Sequence, residues 1–303
     1  MLPTHGRYDY HPWPSRPRYT WPNGARLAVY LGVNLEHFAF GEGLGAELAP
    51  GGPQPDVLNF AWRDYGNRVG AWRLLELLDE LHLPACVLAN AAMVDYAPDL
   101  LRAHLSRGDE LAGHGRTNSE RQSVLAESDE AELIAHSTQA LTALSGTAPL
   151  GWLSPWIAES RVTPDLLAEA GYRYTLNWCA DDQPIAMRTR SGRALLAIPY
   201  PQEVNDIPSI VARKDTADTF AAMIEADFAE RLEQTERDGI PQVMGVALHP
   251  YLVGQPYRLR ALRLALSTIL AARDRIWITT PGSILGALPP GSVPGENTQP
   301  WRE

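Results

Sequence analysis

Lysine is almost missing from this 303-residue chain: Lys214 stands alone and arginine supplies the rest of the positive charge. With 26 basic against 36 acidic side chains, the formal net charge is −10. Nucleic acid and anionic membrane surfaces both demand clustered Lys and Arg, so neither is expected as a partner. Cysteine is nearly as scarce. Cys86 and Cys179 cannot build a disulfide framework or a cysteine-rich zinc site, and Cys86 sits in an apolar run that reads as core. No apolar run approaches the ~18 residues of a membrane span, and the N-terminus lacks the apolar stretch of a secretory signal. A cytoplasmic protein is the expectation. No internal repeat is visible. No Gly-x-Ser-x-Gly elbow frames a nucleophilic serine, and Cys179 has no base beside it. Catalysis by a Ser or Cys nucleophile is therefore disfavoured.

Turn formers are abundant instead. The 24 glycines and 25 prolines exceed the usual share of about 12%, which means many turns and long loops. Residues 1–25 are too rich in Pro for regular structure and too rich in Trp and Tyr for a solvated tail. They read as an arm lying across the domain or a neighbouring subunit, which points to a homo-oligomer. Residues 26–288 form the body, and residues 289–303, rich in Pro and Gly, a flexible tail. Within the body, residues 26–35 alternate Leu27, Val29, Leu31 and Val33 with Ala28, Tyr30 and Gly32, the pattern of a strand. Residues 38–58 lack periodicity and read as a long loop of the kind that covers a site. Helical periodicity starts at 62–82. From there short apolar strands (84–90, 110–113, 150–154, 172–178, 195–200, 243–248, 276–280) alternate with helices. Such alternation indicates an α/β fold of parallel units, and about seven units without a linker favour a closed or nearly closed barrel.

In a β/α barrel the active site lies at the C-terminal strand ends. Those exits are Asn34-Leu-Glu-His37, Asn90, His114 to Asn118, Ser154-Pro-Trp156, Trp178 to Asp182, Glu203 to Asp206, and His249-Pro-Tyr251. Polar groups gathered at one end are what a catalytic pocket requires. Five of the eight histidines (His5, His11, His82, His104, His136) fall in the arm or on helix surfaces, where solvated or capping roles are the default. His114 and His249 differ, because each follows an apolar strand, and His114 has a glycine on either side. Glu36 leaves a buried strand and needs partners. Asp181 and Asp182 fit turn caps as readily as substrate contacts. Glutamate with two histidines and no nucleophile is the chemistry of water activation, which points to hydrolysis of an amide-like bond.

At these residues the sequence resembles the polysaccharide deacetylase (NodB-homology) superfamily, and within it the branch that includes metal-independent PuuE-type allantoinases. The resemblance runs from about residue 26 to 283. It is carried by Val33-Asn-Leu-Glu36, Tyr65-Gly-Asn-Arg-Val-Gly-Ala-Trp-Arg73, Gly113-His-Gly115, Leu150-Gly-Trp152, Ala180-Asp-Asp-Gln-Pro184, Asn205-Asp206 and Leu248-His-Pro-Tyr-Leu-Val-Gly-Gln-Pro256. It implies a distorted (β/α)7 barrel and hydrolysis of non-peptide C–N bonds. Classical members use an Asp pair in the first motif and a His-x-x-x-His turn. By this resemblance Asn34 takes the place of the base, Glu36 that of a metal-binding Asp, His114 that of the first histidine and Asn118 that of the second. The Arg-rich third motif is replaced by Trp152-Leu-Ser-Pro-Trp156. An amide oxygen is a poor zinc ligand, so no cofactor is firmly expected. If a metal is bound, it is zinc on Glu36, His114 and Asn118, with His37 as a substitute donor.

These departures favour a small amide, imide or ureide substrate. Glu36 would orient or deprotonate water with help from His114, and His249 would protonate the leaving nitrogen. Asn34, His37, Asn118, Asp181, Asp182 and Asn205 would hold the substrate between walls of Trp156 and Trp178. Two other functions stay open: a metal-dependent deacetylase of N-acetylated sugars, and a degenerate barrel that binds small ligands without turnover. Two structural expectations follow. Glu36, His114, Asp182 and His249 should surround one pocket, and His249 should sit at its rim, needed for turnover and not for folding.

Overall fold

The computed structural model describes residues 4–293. Its nine strands are β1 (Leu27–Leu35), β2 (Cys86–Ala89), β3 (Glu110–Gly113), β4 (Gly151–Trp152), β5 (Tyr174–Thr175), β6 (Ile185–Met187), β7 (Leu195–Ala197), β8 (Gln242–Leu248) and β9 (Ile276–Thr279). They form one sheet in the order β6-β7-β5-β4-β3-β2-β1-β8, with β9 also paired to β1. All pairs are parallel except β6–β7. β1 anchors the sheet. It pairs with β8 from Leu27 to Val33, with β9 over its first four residues and with β2 over its last four.

The sheet curls until β8 meets the chain on either side of the β6–β7 hairpin. Val243 N donates to Asp182 O at 2.8 Å, and Ala247 N to Val204 O at 3.1 Å. These bonds close the seam, and the result is the distorted α/β barrel of NodB type. Alternate residues of β1 enter different layers, as the two-residue period of a strand dictates. Leu27, Val29, Leu31, Val33 and Leu35 pack under the helices, whereas Ala28 and Tyr30 fill the barrel.

Two features depart from the periodicity. The helix expected over 62–82 starts earlier, at Val57, and breaks into Val57–Tyr65, a π-helical turn Gly66–Gly70 and Ala71–Leu81. Packing explains the break, because a Cβ on Gly70 would stand 2.2 Å from Pro250 O. His104, expected on a helix surface, is buried, and its Nδ1 lies 2.7 Å from Asp109 Oδ2.

The arm is tied to the barrel. Arg7 is 2% exposed and bonds both oxygens of the fully buried Asp165, at 2.8 and 2.7 Å. Trp21 is likewise buried, its Nε1 donating to Gln242 O at 3.1 Å. Most of the tail expected over 289–303, from residue 294 onward, lies outside the described residues. Among the described residues no helix is long and apolar enough to cross a membrane.

Candidate active site

Strand parity builds the pocket. The interior face of β1 carries Ala28, Tyr30, Gly32 and Asn34, so Glu36, two residues further on, points into the barrel mouth. On β8 the interior residues are Val243 and Ala247, which brings His249 to the same mouth. Ala112 of β3 faces inward, and so does His114. Glu36, His114 and His249 therefore converge from three strands in a cavity of about 470 Å³. Gly115 makes the turn after His114 possible: its φ is +66°, and a Cβ there would meet the Pro155 ring at 2.7 Å.

The three side chains are ordered by what stands behind them. His114 Nδ1 lies 2.6 Å from Leu153 O. A carbonyl only accepts, so Nδ1 carries the proton and Nε2 is turned inward. That Nε2 is buried without a hydrogen-bond partner, 3.5 Å from Glu36 Oε1. His249 Nδ1 lies 2.6 Å from Oδ1 of Asp206, whose Oδ2 accepts from the His249 backbone N–H at 2.7 Å. The other end of the ring, Nε2, is also 3.5 Å from Glu36 Oε1. Burial would push the Glu36 carboxyl up, but the charge of His249 and the hydrogen-bonding reach of both histidines outweigh it. The carboxyl is held well below the usual carboxylate range. For His249 burial acts downward, and Asp206 and Glu36 overcome it, raising the imidazole to about 10. At neutral pH the pocket thus holds an ionised Glu36 beside a protonated His249.

Other expected residues join this pocket. Asn34, Asn118, Trp156 and Asn205 line it. Asn34 Nδ2 donates to Tyr200 Oη at 3.1 Å, and Asn90 donates to Asn118 Oδ1 at 3.0 Å. Trp156 Nε1 reaches Asn118 O at 2.8 Å. Trp156 and Ile157 both hold positive φ, 62° and 53°, at a cost of about 1–2 kcal/mol per residue; such strain is often stored at functional sites. His37 lines only a small adjoining recess and stacks on Tyr96, ring centroids 4.2 Å apart.

Trp178, Asp181 and Asp182 do not line the pocket. Trp178 packs against His5 and Tyr8 of the arm. Asp181 Oδ1 closes a turn by accepting from the backbone of Asp182 and Gln183. Asp182 sits opposite Val243, at the start of β8, and bonds Arg231 at 2.6 Å. Five residues at ~3.3 Å rise separate that point from the exit of β8, about 16 Å. The expectation failed because the chain there does not continue as a parallel unit; it doubles back into the antiparallel β6–β7 hairpin. His249 also differs from expectation. It is 5% exposed over a completely buried Asp206, not at a rim.

Three residues of the site were given no role by the sequence. Asp206, which stands behind His249, was only part of the quoted exit Glu203 to Asp206. Tyr200 was only the last residue of the strand expected over 195–200. Arg63 stacks over Phe38 at 4.1 Å and lies 5.5 Å from the Tyr251 ring, while its Nε donates to Asn59 Oδ1 at 3.2 Å. It places a fixed positive charge in the wall.

Residues 57–175 match the polysaccharide deacetylase family. The chain is 26% identical over 292 residues to a Schizosaccharomyces pombe protein provisionally named a polysaccharide deacetylase, covering 86% of this chain and 89% of that one. It is 25% identical over 191 residues to the peptidoglycan deacetylase of Helicobacter pylori, covering 63% of this chain and 61% of that one. Its structure superposes on that of Puue allantoinase with a TM-score of 0.77 at 25% identity, covering 95% of this chain and 96% of that one. The similarity to polysaccharide deacetylases is thus carried by residues 57–175 in sequence and by the fold of nearly the whole chain.

The classical deacetylase pattern implies a divalent ion, and the donors can be weighed one by one. A tight zinc site needs at least three protein ligands of carboxylate, imidazole or thiolate type. Here Glu36 and the unpartnered Nε2 of His114 offer two. Asn118 already spends Oδ1 on Asn90, Asn34 turns to Tyr200, and His249 is protonated against Asp206. Among the described residues no group of three or more His, Cys, Asp or Glu side chains is arranged to hold a metal ion. The donor set does not fit a tightly held zinc.

Proposed function

We propose that the protein hydrolyses a non-peptide C–N bond of a small amide or ureide by attack of an activated water. The observation that carries this reading is the convergence of two imidazole Nε2 atoms on one oxygen of Glu36, each at 3.5 Å, with the second carboxylate oxygen left to hold water. As the water oxygen attacks the carbonyl carbon, its proton passes to Glu36. His114, with Nδ1 protonated, offers its Nε2 lone pair to orient that water. The C–N bond breaks as His249 Nε2 delivers its proton to the leaving nitrogen. Glu36 now holds a proton and His249 lacks one, and the short gap between them lets the proton return. Arg63 supplies positive charge in the wall towards which negative charge on the carbonyl oxygen can develop.

A second reading keeps the same attack and places it on the acetamido group of a sugar. The rings of Phe38, Trp156 and Tyr251 in the wall and the names of the two curated relatives favour it. One assay separates the readings. Wild type and Glu36→Gln are compared on ureides, cyclic imides and N-acetyl sugars, with and without chelator. Turnover of a ureide or imide that survives chelation and falls about 10²–10⁴-fold in the variant is expected. Turnover confined to N-acetyl sugars selects the second reading, and equal rates in the two proteins reject both.

A further inference from the structure

A second cavity, of about 630 Å³, opens where the arm crosses the barrel seam. It meets the first at Tyr200 and Gln202, which line both. Its distinguishing group is Arg16, whose side chain is only 10% exposed. Nη2 pairs with Asp181, but Nε and Nη1 are buried without a hydrogen-bond partner. An unmet buried donor costs about 1–3 kcal/mol, and more when charged. Among the described residues the protein itself supplies these two donors with no acceptor.

The rest of the wall narrows what can carry one. Two arginines face four carboxylates (Asp181, Asp182, Glu203 and Asp227), so the surroundings are net negative and oppose a full anion. A cation would meet the buried guanidinium. Asp182 spends Oδ1 on Arg231 and keeps Oδ2 as an acceptor for an N–H. Trp13 and Tyr200 add aromatic side chains to the lining. A neutral, planar group that presents C=O on one edge and N–H on another offers a partner to both the guanidinium and the carboxylate.

We propose that this cavity binds a neutral amide or ureide, with its carbonyl oxygen accepting from Arg16 and an N–H donating to Asp182. The site makes and breaks no bond, and it stands whether or not the neighbouring pocket is catalytic.

The molecule contains its own reporter. Cys179 is exposed and lines this cavity but not the reaction pocket, whereas Cys86 is fully buried. The rate of Cys179 modification by methyl methanethiosulfonate is measured on the full chain against hydantoin as a neutral cyclic ureide. N-acetylglucosamine and acetate serve as the neutral polyol and the anion. Hydantoin should protect saturably at concentrations where the other two do not. Arg16→Lys, which keeps a cation for Asp181, should raise the protecting concentration about tenfold, the equivalent of one charge-assisted hydrogen bond. Failure of hydantoin to protect overturns the proposal. So does equal protection by acetate or N-acetylglucosamine, or protection unchanged in Arg16→Lys while the variant keeps the wild-type melting curve. Turnover in the Glu36 assay reads the other pocket, so the two hypotheses fail separately.

Discussion

The two cavities touch, yet they are made by different means. The reaction pocket is assembled from strand exits, where parallel register and a two-residue period force Glu36, His114 and His249 inward together. The seam cavity is assembled from the arm and a doubled-back hairpin, where no period operates. Their charges differ accordingly. In the reaction pocket the two central ionised groups are answered within a few ångströms, Glu36 by two imidazoles and His249 by Asp206, while Arg63 rests on aromatic rings. In the seam cavity Arg16 is answered on one nitrogen only. A regular scaffold can focus several charges on one point; an arm laid across a seam leaves groups over.

The largest expected effect tests whether the charges of the reaction pocket act in catalysis or in folding. His249→Gln keeps a donor for Asp206 but cannot carry the transferred proton, so kcat should fall about 10²–10⁴-fold with little change in Tm. His249→Ala should lose the same activity and also strand a buried carboxylate, at a cost of about 3–5 kcal/mol. At roughly 2–4 °C per kcal/mol that is a fall of about 10 °C. If the two variants melt alike, Asp206 is not held by His249 as the geometry implies. If His249→Gln keeps full activity, His249 leaves the mechanism.

Arg7 provides the opposite case, a buried charge with a structural task. Its pair with Asp165 is nearly sealed from solvent, the side chains 3% and 0% exposed. Arg7→Met should destabilise the fold by about 3–5 kcal/mol for the same electrostatic reason, yet leave kcat of the folded fraction at 25 °C unchanged. Thermal melts alongside initial rates check both halves. A fall in kcat without a fall in Tm would mean that the arm anchor feeds the reaction pocket.

How much of this was legible in the sequence follows the same division. Strands β1, β3 and β8 stand where alternation placed them, and the residues their interior faces lead to are those of the pocket. The hairpin was not legible, because Ile185–Met187 is three residues long in a polar stretch and pairs antiparallel. Missing it put Asp181 and Asp182 at the wrong end of the barrel. His104 sits on the buried side of its helix, where Asp109, itself bonded by Arg107, meets it five residues on; helical periodicity alone does not show that contact. Arg63 depends on Phe38, a residue of the loop whose path no pattern fixes. Asp206 was itself within a quoted strand exit, but its role comes from a bridge between Asn205 and Ala247 that is a single residue wide.

The smallest expected effect lies between the two anchors. Glu159 Oε2 accepts from Asn177 Nδ2 at 2.7 Å, and Asn177 also bonds the backbone N–H of the pocket residue Ser154 at 2.7 Å. Burial raises the Glu159 carboxyl to about 7, against the lowering action of Asn177, Trp178 and Arg7. A carboxyl raised in the folded state binds its proton more tightly there than in the unfolded chain, where the value is near 4.5. Between those two values the folded state holds more protons, so stability falls as pH rises from about 4.5 to 7 and levels off above. Glu159→Gln keeps an oxygen for Asn177 and removes the ionisation. Relative to wild type it should melt about 2–8 °C higher at pH 8, a gain of about 1–3 kcal/mol, and almost the same at pH 5. A variant that is no more stable at pH 8, or that gains equally at both values, would mean that Glu159 ionises as freely in the folded protein as in the unfolded chain.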